Sequence, residues 1–126
     1  MMMALVLMAL GGAVGAMLRF VVDAMIRQLW SARFPVATLI INTTGSLALG
    51  LITAGATPGG VDPVWCAALG VGLCGGFTTF STAMVETVRL LGERRGLAGL
   101  TYLLGSAVVC VIAAGLGSWL GTVWWS

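Results

Sequence analysis

Histidine is absent from this 126-residue chain, and charge is nearly so, with acidic and basic side chains making up only 8% of it. Without an imidazole, no nucleophile–base pair or histidine metal cluster can be assembled, and an enzyme is not expected. So little charge cannot keep a chain dissolved that is 60% hydrophobic and has a mean hydropathy of +1.09. The sequence therefore reads as an integral membrane protein. Alternating polarity at period two is missing too, which excludes a β-barrel. The three cysteines, Cys66, Cys74 and Cys110, are odd in number and unpatterned, so they are expected to be small packing residues rather than a disulfide or metal site. No nucleotide-binding motif is present, and a net charge of +2 without a soluble surface gives nucleic acid nothing to bind.

What charge there is cuts the chain into uncharged runs at Met1–Leu18, Phe34–Val61, Pro63–Val85 and Gly96–Ser126. A spanning helix needs about 20 apolar residues, so the runs predict four spans in one all-α transmembrane domain covering residues 1–126. The first helix is expected from about Met3 to Ile26, as a span rather than a cleaved signal, because no positive stretch precedes it. Its Gly11-x-x-x-Gly15 spacing gives a smooth face for close helix approach. Arg19 and Asp23, at i,i+4, either pair along the helix or stand at a pore mouth. The link Arg27–Arg33 carries Trp30 as an interfacial anchor, and Pro35 opens a second helix to about Ala56. Thr57-Pro58-Gly59-Gly60 is a turn, Pro63 opens a third helix to about Leu91, and a fourth runs from Leu97 to Trp124-Trp125.

The third span holds the run Gly75-Gly76-Phe77-Thr78-Thr79-Phe80-Ser81-Thr82, two glycines and four hydroxyls in an uncharged stretch. Irregular, polar backbone at that depth is tolerated only where it is buried in protein or lines a pathway, so a break near Gly75 is expected. Asn42, the only asparagine, lies deep in the second helix with Ser46 one turn on; it either bridges helices or faces a water-accessible path. Tyr102, Ser106 and Cys110 form a semipolar stripe on the fourth helix. Amide hydrogens, hydroxyls and the positive edge of an aromatic ring are all electropositive surfaces that suit a small anion. A cation or proton carrier would need an acid at the midplane, and none is placed there.

These residues resemble the CrcB/Fluc fluoride channels, through Gly12-x-x-Gly15-x-x-x-Arg19, Pro35-x-x-Thr38-x-x-x-Asn42-x-x-Gly45-Ser46 and Gly75-Gly76-x-Thr78-Thr79-Phe80-Ser81-Thr82-x-x-x-Glu86. The resemblance covers all four helices. It implies a passive fluoride-selective channel of the cell membrane, exporting fluoride from the cytoplasm, built as an antiparallel dimer of four-helix subunits with two pores. It also implies a structural sodium ion at the dimer centre, held by the backbone carbonyls of Gly75 and Thr78. Phe80 would be the first pore phenylalanine, with Asn42 a donor on the same path. Ser81, Thr82, Glu86, Tyr102 and Ser106 would continue that path, and Arg19 would lie at a vestibule. Members usually carry a second phenylalanine three residues after the first, where this chain has Ala83.

Arg27, Arg33, Arg89, Arg94 and Arg95 all fall at one membrane face, which puts both termini outside. A dimer of two opposite orientations should show little such bias. The chain is thus expected to pair either with itself or with an inverted, phenylalanine-complete paralogue. A non-conducting supporting subunit and a small four-helix proton-coupled antiporter are the alternatives. The antiporter needs an acid deep in the first helix, where this chain has glycines, Ala13 and Val14.

Overall fold

Each uncharged run folds into helix. In a computed structural model, which describes residues 1–30 and 34–126, α1 is Met2–Leu29, α2 Val36–Ala54 and α5 Gly96–Trp125. The third span, Pro63–Gly92, is divided. Its first half, α3, is made of consecutive pieces Pro63–Cys66, Ala67–Cys74 and Gly75–Phe77; its second half, α4, is Phe80–Gly92. All four spans are long and apolar enough to cross a bilayer, and there is no strand among the described residues, so this is a multi-pass membrane protein. Element ends agree with the sequence reading to within a few residues. Arg33, counted above among the basic residues, lies outside the described residues.

Local chemistry sets the ends. Pro63 sits in the first turn of α3, where a missing N–H costs nothing, and Asp62 caps that turn by accepting from the Val64 amide at 2.8 Å. The turn before it needs a left-handed residue and uses Gly59, at φ 85°. Arg94, at φ 57°, closes α4, and the Arg95 amide returns to the Leu90 carbonyl at 2.9 Å.

The helices pack as two parallel pairs. A Cβ added to Gly76 would strike the Gly12 backbone, and one added to Gly15 would strike Leu73 and Phe77, so α1 lies against the third span with almost no side chain between them. On the other side, Gly117 meets the Leu47 backbone and joins α2 to α5 in the same way. Between the pairs sits a small core of Ala83, Leu90 and Tyr102, with Phe34 edge-on to the Tyr102 ring at 5.5 Å.

The break does not fall at the glycines. Gly75 is helical at φ −64°, ψ −39°, and the chain leaves the helix at Thr78 (φ −78°, ψ 159°) and Thr79 (φ −146°, ψ 119°). Gly76 is thus used for close approach to α1 rather than for backbone freedom, and the extended residues are β-branched ones that favour that conformation. Upstream, Ala67–Cys74 is wound as a π-helix, a widened form that recurs next to functional sites.

Candidate functional site

Two extended residues in mid-span leave peptide groups that lipid cannot satisfy. Asn42 of α2 meets the need at Thr79: its Nδ2 donates to the Thr79 carbonyl at 2.9 Å, and its Oδ1 accepts from the Thr79 amide at 2.8 Å. Asn42 thus joins two helices, and it also lines a groove. The Thr78 amide and hydroxyl both donate to the Cys74 carbonyl, at 2.9 and 2.8 Å. The Thr79 hydroxyl caps α4, accepting from the Thr82 amide at 3.3 Å and donating to the Thr82 hydroxyl at 3.0 Å.

These diversions leave groups of both signs on either side of the break. Because the Thr79 amide turns to Asn42, the Gly75 carbonyl loses its helical partner; because the Thr82 amide turns to Thr79, so does the Thr78 carbonyl. Beyond the break, the amides of Phe80 and Ser81 at the start of α4 have no acceptor among the described residues. Half-helix ends of this kind favour a cation at the freed carbonyls and an anion at the freed amides. The sequence pointed to the carbonyls and the side chains. It did not single out these amides, which become visible only once the position of the break is known.

Two cavities flank the break. A groove of about 550 Å³ is lined by Asn42, Gly75, Thr78, Phe80, Ala83 and Ser106, among others. Phe80 lies on it largely uncovered, 77% exposed. Cys74 and Cys110 line the same groove as free thiols. The second cavity, of about 380 Å³, collects Arg19, Asp23, Arg27, Thr38, Ser81 and Thr82. Thr79 borders both. The candidate path residues are thus gathered round one break but split between its two faces.

Arg19 and Asp23 do not pair. Asp23 accepts from Arg27 Nε at 2.8 Å, and Arg19 Nη1 instead reaches the Thr78 carbonyl at 3.2 Å. A positive charge therefore touches the break itself and also lines the second cavity. The reason is steric: glycine packing draws α1 against the third span, within reach of an arginine side chain.

Glu86 and Tyr102 border neither cavity. Both are buried, at 5% and 1% exposure. Glu86 Oε1 accepts from Thr38 Oγ1 at 3.0 Å and Arg27 Nη2 at 2.9 Å, and Oε2 accepts from the Tyr102 hydroxyl at 3.1 Å. Neither Thr38 nor Arg27 is among the path residues expected from the sequence. Thr38 stood in a recognised motif, but Arg27 carried no signal beyond its charge.

No cluster of three histidine, cysteine or acidic ligands occurs among the described residues, so a transition-metal centre has no donors. A hard cation would find neutral oxygens in the Gly75 and Thr78 carbonyls. The Gly75 position is open, since a Cβ there would meet nothing within 4 Å. Hard cations take several oxygens, so two from one chain would have to be doubled by a second.

Comparison with known proteins places the sequence in a family. The family model described as CrcB-like protein, Camphor Resistance (CrcB), matches residues 6–118. A fluoride-specific ion channel, FluC 1, of Leifsonia xyli subsp. xyli is 47% identical over 113 residues, covering 90% of this chain and 82% of that one. FluC 2 of Cutibacterium acnes is 44% identical, covering 95% of this chain and 98% of its own. FluC 1 of Listeria monocytogenes serotype 4b is 40% identical, covering 96% and 99%.

Proposed function

The chain belongs to the CrcB-like family, and on that premise we propose that it forms a passive, fluoride-selective channel that lets fluoride leave the cytoplasm and so limits its toxicity. The observation that carries this reading is the broken third span, with the start of α4 and its unpaired Phe80 and Ser81 amides at the break. Fluoride must exchange a tight hydration shell for protein donors along a narrow track. Asn42 offers its second amide hydrogen, Ser81, Thr82 and Ser106 offer hydroxyls, and Phe80 offers a ring edge. Arg19 adds positive charge where the ion would leave water. Glu86 and Tyr102 serve the path from behind, by fixing Thr38. No bond is made or broken, and the family is one of channels rather than enzymes.

The finer proposal is an antiparallel dimer, with the groove beside Phe80 completed by the second subunit. The Gly75 and Thr78 carbonyls of both subunits would hold a sodium ion at the centre, where it would supply fixed positive charge and tie the two breaks together. Arg19 shares the Thr78 oxygen, so that ion would have to use its other lone pair.

A specific feature favours a heteromeric variant of this reading. Ala83 lines the groove beside Phe80 with only a methyl group, and Arg27, Arg89, Arg94 and Arg95 all belong to one end of the bundle. An inverted paralogue would supply both the missing ring and the opposite bias. The antiporter reading has no such support, because Asp23 lies near the end of α1 and is tied to Arg27.

The test is fluoride efflux from liposomes holding the purified chain, followed with an electrode against protein-free liposomes. Rapid efflux of fluoride but not chloride supports the channel. Efflux only after co-reconstitution with an inverted paralogue supports the heteromer, and none under either condition overturns both.

A further inference from the structure

Arg27 Nη2 reaches the buried carboxylate of Glu86 at 2.9 Å, from 59 residues away in sequence. The two differ sharply in setting: the Glu86 side chain is 7% exposed and that of Arg27 46%. The other two donors to Glu86, the Thr38 and Tyr102 hydroxyls, are neutral. Thr38 also borders the second cavity, with Arg19, Ser81 and Thr82. A full negative charge therefore sits one hydroxyl behind the donors offered to an anion. We propose that Arg27 is a positioning residue for anion passage, cancelling the Glu86 charge so that the cavity of Ser81 and Thr82 stays permissive to fluoride.

Among the described residues, the charges facing this cavity balance. Arg19 and Arg27 are positive, Asp23 is negative, and Glu86 behind Thr38 supplies the second negative charge. Removing Arg27 takes away the cation in contact with this carboxylate, and like charges a few ångströms apart in a weakly polar setting repel strongly. Asp23 would lose its partner in the same step and add to the repulsion. Holding Thr38 and Tyr102 needs only the acceptor oxygens of residue 86, which a glutamine keeps in part. The charge effect is thus separable from the packing effect.

This inference rests on the fluoride-channel reading, and the test keeps the two apart. If the unaltered chain, with whichever partner it needs, passes no fluoride, the reading itself fails and Arg27 is not at issue. With conduction established, efflux is compared for Arg27→Gln, Arg27→Lys, Glu86→Gln and the double variant Arg27→Gln/Glu86→Gln, each checked by thermal melting in detergent. Arg27→Gln should slow efflux about tenfold or more, and Arg27→Lys should retain most of it. The decisive arm is the double variant, which should run faster than Arg27→Gln because the uncompensated charge is gone. A double variant as slow as Arg27→Gln, or Arg27→Gln efflux equal to that of the unaltered chain with an unchanged melting temperature, overturns the proposal.

Discussion

Asn42 and Thr79 make two hydrogen bonds to each other across two helices, amide nitrogen to carbonyl at 2.9 Å and backbone N–H to amide oxygen at 2.8 Å. A single side chain thus replaces the strand-like partner that an extended residue in a membrane would otherwise lack. It leaves one amide hydrogen to spare, so the residue that holds the break open can also present a donor beside it.

Substitution at Asn42 is expected to separate these roles. Asn42→Ala leaves a buried N–H and a buried carbonyl unpaired, at a cost of about 1–3 kcal/mol for each. A clear fall in melting temperature and loss of fluoride efflux should follow. Asn42→Asp keeps the acceptor for the Thr79 amide but loses the donor and adds negative charge. It should be more stable than the alanine variant yet conduct no better. Melting curves and liposome efflux on the two variants check this; an alanine variant with unchanged stability would mean the Asn42–Thr79 pair contributes little.

Phe80 calls for the opposite pattern. Its side chain is 77% exposed within one chain, so shortening it removes few contacts inside the subunit. Phe80→Ala should leave the fold of the subunit intact by circular dichroism. Efflux should drop by at least about tenfold, because a ring edge is lost where the ion sheds water. A variant that conducts normally would remove Phe80 from the path.

How far the sequence reached follows from what each signal depends on. Four apolar runs needed only length and charge, and each marked one of the four spans. The polar run in the third span announced a break, because lipid tolerates none without a reason. The break expected near Gly75 falls just beyond it, at Thr78 and Thr79, because glycine marks close packing as well as flexibility. Gly76 packs against Gly12, while Thr78 and Thr79 carry the extended backbone. The pairing of Arg27 with Glu86 spans 59 residues and depends on a long side chain at the end of α1 reaching across to α4, which no local spacing encodes. Spacing alone leaves Arg19 either paired with Asp23 or at a pore mouth, and its partner is a carbonyl on another helix.

The two adjacent glycines should therefore respond differently to one methyl group. Gly76→Ala drives a Cβ into the Gly12 backbone, where nothing flexible can yield, so α1 must move away from the third span. Poor yield or a loss of about 1–3 kcal/mol of stability is expected, read from detergent melting curves. Gly75→Ala meets nothing within 4 Å and should leave the single subunit's fold unaffected. Should Gly75 face a second copy with its carbonyl on sodium, the alanine variant would weaken the dimer. Size-exclusion chromatography with and without sodium would reveal that as a shift toward monomer.

Ala83 offers a gain rather than a loss. It is 5% exposed, packs in the cluster with Leu90 and Tyr102, and also borders the groove that Phe80 overlooks. A phenylalanine there has room in one direction only, toward the groove of about 550 Å³, because the Tyr102 side is filled. Ala83→Phe should therefore cost no more than about 1–3 kcal/mol of overpacking while adding a ring edge one turn beyond Phe80. If the missing ring is what limits this chain alone, efflux from liposomes holding only the Ala83→Phe variant should rise several-fold over the unaltered chain. If the unaltered chain already conducts alone, a stable variant with unchanged efflux would show that one ring per subunit suffices, and the case for an inverted partner would then rest on charge bias alone.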